Sequence, residues 1–328
     1  HTKEILVMLK RFFIIFSILL LTTFLLQVLS YDVYSAAIRD NFHYNNFYEK
    51  LSETKGLIIG YSYYHNLTGG SEPIYYLYMF LCSAIGLDYS QAVLSQNIFF
   101  VFSISLLLSS IKLSLSLYAI IVIYISTNFY VFVLFSEAQR LKVGVVFGIF
   151  FIFQYIHGNK TILPAICMML SHFQMGMLLL LKIRKFKLSF YHAIILLLAL
   201  PLYPKILQKF LAYVTNDFGE TLNNIISSGT LCLAFLITFQ LFSKKINKSF
   251  IVFLLGCIAA SVIVGKARIN IFIFEGSMFY LFYLVHMGNQ RKIMLYSLIC
   301  VVAIVSSYNI YRIESSYSHL IQLTGLEK

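Results

Sequence analysis

The sequence predicts an all-α polytopic membrane protein. Apolar runs long enough to cross a bilayer recur along the chain. Of its 328 residues 59% are hydrophobic and only 12% charged, where a soluble domain is about a quarter charged. The cations gather in short segments between the runs.

The runs predict about nine full spans. The first, Phe12 to Ser30, is too long for a signal-peptide core and lacks a small-residue cleavage site, so it reads as a retained helix. Gln91–Ser110, Leu113–Phe132, Arg140–His157, Leu188–Tyr203 and Ile226–Ser243 follow. Phe250–Gly265, Asn270–His286 and Met294–Tyr311 complete the set. Ile74–Leu87 falls short of the roughly twenty residues needed to cross. Thr161–Leu181 is long enough, but Pro164, Ser171, His172 and Gly176 interrupt it. Both read as re-entrant or half-spanning helical hairpins. The whole chain, 1–328, then forms one integral membrane domain with external loops at 31–72 and 204–225. Ile206, Leu207, Phe210, Leu211 and Val214 of the second loop have the spacing of an interfacial helix.

Charge orients the spans, because cytoplasmic loops collect Lys and Arg. Placing Lys10–Arg11, "KIRKFK" at 182–187, "SKKINK" at 243–248 and Arg291–Lys292 inside leaves Glu4 as the only acid there. The N-terminus is then inside and the C-terminus outside. If both short runs cross fully, Lys112 and Lys160 move out while Arg140 and Lys142 move in. Charge leaves these topologies open, and the shortness of Ile74–Leu87 favours the one with Arg140 and Arg268 external.

Several function classes lack their signatures. Cys82, Cys167, Cys232, Cys257 and Cys300 lie inside apolar runs without metal-ligand spacing. No His, Cys or carboxylate cluster has zinc spacing. No P-loop or strand-linked GxGxxG occurs, so the sequence predicts no cofactor and no nucleic-acid partner.

Charges inside apolar segments are candidate functional groups. Arg140, Gly144 and Gly148 share a helix face, so the guanidinium caps a groove that a helix or acyl chain can enter. Glu137, at i−3, can pair with Arg140. Arg268 and Glu275 share another face, with Glu275 about 10 Å deeper. Plainer roles fit the same residues. Arg140, Lys142 and Lys266 also read as snorkelling anchors, Arg268–Glu275 as an internal ion pair, and His172 as satisfying a carbonyl at a helix break. Glu72 before Pro73 also reads as a helix N-cap.

The order of these features resembles the EpsG-like, Wzy-type bacterial polysaccharide polymerases. "AIRDN", containing Arg39, leads into "SEPIYYLYMFLCSAIGLDYSQAV", which is similar to the family's Glu-Pro-x-x-Tyr-Tyr entry to a short helix. "FSEAQRLKVGVVFGIFFI", which contains Gln139 and Arg140, is similar to its Ile-Arg-Gln-x-(Leu/Ala) helix start. "LPAICMMLSHFQMGMLLLL" resembles its Phe-His segment and "GKARINIFIFEG" its late span-start Arg. The resemblance covers about Arg39 to Gly276. "DNFHYNNFY" stands where a Gly-x-Gly-x-Asp-Tyr run is expected, and Ser171 precedes His172 where an aromatic is common.

The resemblance implies a GT-C-like membrane glycosyltransferase, metal-independent, in the bacterial inner membrane. It would join oligosaccharide repeat units carried on undecaprenyl pyrophosphate, for O-antigen or capsule, at the external face. The lipid bilayer is a partner, and a chain-length regulator is a further one the resemblance admits. Arg140, Arg268, Glu275 and His172 are then the expected catalytic residues. Arg39, Glu72, Glu137, Gln139, Lys142, Gly144 and Lys266 are expected to bind substrate. A guanidinium suits the task because its planar fork binds phosphate oxygens bidentately and stays charged. A flippase of the same glycan or a polytopic O-acyltransferase is the alternative class.

Overall fold

The computed structural model describes residues 2–29, 40–54, 56–111, 113–136, 138–159, 161–172, 175, 178–179, 218–242, 246–264, 266–287 and 292–324. Among them the regular structure is entirely helical. The helices are α1 (Thr2–Leu29), α2 (Asp40–Glu53), α3 (Leu57–Thr68), α4 (Pro73–Ala84), α5 (Tyr89–Ser110), α6 (Leu115–Ser126) and α7 (Phe129–Ser136). They continue with α8 (Gln139–Ile156), α9 (Ile162–Ser171), α10 (Phe218–Phe242), α11 (Lys248–Val264), α12 (Lys266–Met287) and α13 (Lys292–Thr324).

Five segments of the described residues are long and apolar enough to cross a membrane: Tyr89–Ser110, Gln139–Ile156, Leu222–Gln240, Ile269–Met287 and Lys292–Arg312. The pair α6 and α7 makes a sixth if counted as one span. This is consistent with a polytopic, membrane-embedded protein. The expected span Leu188–Tyr203 and the segment 204–217 lie outside the described residues.

Local chemistry sets the helix ends. Pro73 opens α4, where its missing N–H costs nothing. Asp88 and Gln91 form a reciprocal capping box at the start of α5. Gly69 ends α3 in the left-handed region at φ 61°, which a side chain would disfavour. Pro164 does not interrupt α9, because it is the third residue, where the N–H has no intrahelical acceptor.

Two expectations are corrected. Leu113–Phe132 is not one straight span: α6 and α7 meet at 58° across Thr127–Asn128. Asn128 Oδ1 accepts from Tyr130 N at 2.8 Å and Val131 N at 3.1 Å, so it starts a new helix instead of continuing the old one. The polar loop expected at 31–72 contains two helices, α2 and α3. Tyr44, Phe47, Tyr48 and Leu51 of α2 fall at i, i+3, i+4 and i+7 and are buried. They pack with Tyr64 of α3 and Tyr75, Tyr76 and Met79 of α4 in one aromatic core.

The chain divides into two compact units, 1–175 with 301–328, and 176–300. In the first, α5 packs on α1 and α8, α9 packs on α8 and α4, and α2–α4 pack on one another. In the second, α10, α11 and α12 pack mutually. Phe250 stacks on Tyr280 at 4.0 Å, and Phe239 meets both rings edge-on.

Candidate functional site

The site lies at the start of α8 in the first unit. Arg140, the second residue of that helix, reaches back to the α2–α4 module. Its Nε donates to Tyr44 Oη at 2.6 Å. Its Nη1 donates to Glu72 Oε2 at 3.2 Å and Oε1 at 3.4 Å. Glu72 Oε2 also accepts from Tyr64 Oη at 2.7 Å and Ser71 N at 2.8 Å. Arg140 and Glu72 keep 24% and 19% of their side chains exposed, so the pair borders open space.

Backbone shape makes this contact possible. Residues 69–71 cross directly over the network. A Cβ at Gly70 would collide with Tyr64 Oη and lie 2.9 Å from Arg140 Nη1, so glycine is needed for the close approach. The His65 ring donates through Nδ1 to Gly70 O at 2.8 Å, and Tyr61 Oη donates to Ser71 O at 3.1 Å.

Burial raises the affinity of the Glu72 carboxyl for its proton. The Arg140 charge, the Tyr64 hydrogen bond and the field of His172 outweigh that, and the carboxyl is held below its ordinary value. Burial first, and the Glu72 charge second, push the Tyr64 phenol above its ordinary value. Tyr64 therefore remains a donor and Glu72 an ionised acceptor.

The structure corrects two expected roles and adds a partner. Glu72 meets Arg140, and Glu137 lies outside the described residues. Lys142 is neither an anchor nor able to touch substrate: it is 0% exposed. Its Nζ donates to Asn97 Oδ1, to Gln139 Oε1 at 2.7 Å and to Phe135 O at 3.4 Å. Gln139, also buried, is thereby committed to the protein. The face above Gly144 is no open groove for an acyl chain. A Cβ there would stand 2.8 Å from His172 Cβ and 3.0 Å from Met175 Cγ, so α9 and the turn after it fill the space.

Arg140, Glu72 and His172 are thus brought into one neighbourhood, with Gly144 as the seat of His172. Glu275 is half-buried in the middle of α12, in the second unit. The side chains of Arg268 and Lys266, and all of Arg39, lie outside the described residues. Sequence reasoning missed Tyr64, Gly70 and the burial of Tyr44. The 44–47–48–51 spacing was the available signal for the last.

Among the described residues no three His, Cys, Asp or Glu side chains converge as a metal site would require. What the arrangement offers is a partly exposed guanidinium with a fixed orientation. Among the described residues the protein engages its Nε and Nη1 and leaves Nη2 without a partner. No family model matches the chain, and neither a curated protein nor a solved structure does so.

Proposed function

We propose that this protein is a membrane polymerase joining undecaprenyl-pyrophosphate-linked oligosaccharide repeat units at the external face of the inner membrane. The observation that carries the reading is the oriented, part-exposed guanidinium of Arg140. The resemblance to EpsG-like, Wzy-type polymerases supplies the substrate class.

The step is a glycosyl transfer. A hydroxyl of the acceptor unit attacks the anomeric carbon of the donor glycan. The C–O bond to the pyrophosphate breaks, and the lipid pyrophosphate leaves with the bonding electrons. Arg140 Nη2 faces the charge developing on that leaving group, where a preoriented donor is worth most. Tyr44 and Glu72 keep the guanidinium plane from swinging. Glu72 is a poor proton acceptor because it is held ionised by three donors. The acceptor proton goes instead to the His172 imidazole, in the same neighbourhood.

Substitution at Arg140 tests this. Lys keeps the charge but loses the fork. Arg140→Lys should lower polymerisation at least tenfold, equivalent to about 1.4 kcal/mol of transition-state stabilisation. Tyr44→Phe, which frees the plane, should cost less. Glycan ladders at matched protein levels are the readout. Normal ladders for Arg140→Lys would remove the pyrophosphate role.

A further inference from the structure

Helix α3 exposes a face whose character changes along its length. Its inner face is closed against the module. A Cβ at Gly60 would meet Tyr76 Oη at 2.6 Å and Leu51 at 2.8 Å, and Tyr64 is fully buried. On the outer side, the first turn shows Leu57 at 49% exposure, Ile58 at 84% and Ile59 at 57%. Exposed Tyr63 follows, and the last exposed positions are polar: His65 and Asn66. From Ile58 to Asn66 the rise is about 12 Å. Three consecutive large aliphatic side chains open to water are unusual, since leaving one exposed forgoes about 2 kcal/mol of transfer free energy.

The neighbours add to this order. Tyr76 Oη donates to Leu57 O, and Tyr61 Oη donates to Ser71 O. The first turn of α4 thus lies beside the first turn of α3, and α4 has exposed apolar residues of its own, Leu77 and Leu81. The opposite end of α3 leads into the polar turn at 69–72. Lys50 of α2 sets its ammonium 5.9 Å from the centre of the Tyr63 ring. The order is thus aliphatic, then tyrosine with a cation, then polar. A bilayer has that order from acyl chain through headgroup to water.

We propose that the first turn of α3 is a lipid-contact site, with Leu57, Ile58 and Ile59 seated at the boundary between headgroups and acyl chains. A protein groove fits less well. A helix that docks in a groove shows its anchors as a stripe at i, i+3, i+4 and i+7, whereas here they are consecutive and confined to one turn. Exposed Lys50 and Glu53 on the adjoining end of α2 set the depth at the headgroups, not the bilayer centre. The contact fixes the height of the α2–α4 module, and with it the turn at 69–72, relative to the membrane surface. It rests on the membrane embedding of the chain and not on the polymerase reading.

The chain contains no tryptophan, so one introduced indole reports its own surroundings. Ile58→Trp in the full chain, reconstituted in phosphatidylcholine vesicles, should emit at shorter wavelength than Asn66→Trp on the same helix. Lipids brominated near the top of the acyl chain should remove most of its emission, and lipids brominated near the chain end should remove less. Phe99→Trp, on the candidate span α5, is the positive control for lipid contact. Ile59→Trp repeats the test should the first variant fold poorly. Water-like, unquenched emission from Ile58→Trp overturns the proposal. So does blue-shifted emission that bromine does not quench, since another protein surface would then cover the face.

Discussion

Glu72 gathers three donors, from Tyr64, Ser71 and Arg140, and this fixes how the site responds to acid. Its folded-state pKa lies below the unfolded one. Its contribution to stability is therefore present above the ordinary carboxylate range and is lost as pH falls through the folded value. Glu72→Gln should cost about 1–3 kcal/mol at neutral pH, because buried donors lose an ionised acceptor. Thermal unfolding should also fall less steeply with acid in this variant than in the parent protein. A parallel loss in both would mean that Glu72 does not carry the acid response. Gly144→Ala should destabilise by about 1–3 kcal/mol through overpacking against His172. Unchanged thermal stability would show that α9 yields there. At this scale the sequence identified Arg140, Glu72, His172 and Gly144 as special but not their pairing. An i−3 spacing rule reaches only neighbours in sequence, whereas Glu72 is 68 residues from Arg140. Lys142 misled for a related reason. Its acceptor on α5, Asn97, is invisible from the local pattern, so a buried lysine looked like a surface anchor.

The break at Thr127–Asn128 and the turn at 69–71 are the two places where elements are steered. Asn128 caps α7 with two backbone bonds, and Thr127 Oγ1 donates to Ser306 Oγ of α13 at 2.7 Å. Arg312 of α13 sets its guanidinium 3.9 Å from the Phe129 ring, at the start of α7. Asn128→Ala should cost about 1 kcal/mol through the lost cap. It should also raise hydrogen exchange in α7, the helix that leads to Arg140. Exchange unchanged in α7 would show that the α13 contacts alone hold it. Apolar periodicity located α5, α8, α11 and α12 to within a few residues, because each is one long run. It failed at Leu113–Phe132, where Asn128 sits unremarked in an apolar stretch and decides the geometry through its side chain. It failed again at α2, where high polarity hid an amphipathic helix whose buried face is tyrosine and phenylalanine instead of aliphatic.

The molecule as a whole combines membrane-capable helices with a tyrosine-rich helical module that delivers Glu72 and Tyr44 to the start of α8. The sequence made membrane embedding plain because composition alone carries it. The arrangement of helices was not legible, because bends and short helices depend on side-chain contacts between distant segments. Sidedness follows from the proposal. With the 5 native cysteines replaced by serine, Asn66→Cys should react with an impermeant thiol reagent from outside the inner membrane. Reaction only after lysis would put the site on the cytoplasmic side. The central claim is tested most directly in vesicles. Purified protein given undecaprenyl-pyrophosphate-linked repeat units should release undecaprenyl pyrophosphate and produce glycans of two or more units on one remaining lipid. Arg140→Ala should do neither. Repeat units recovered intact on the opposite leaflet, with no pyrophosphate lipid released, would contradict the account and make the protein a transporter.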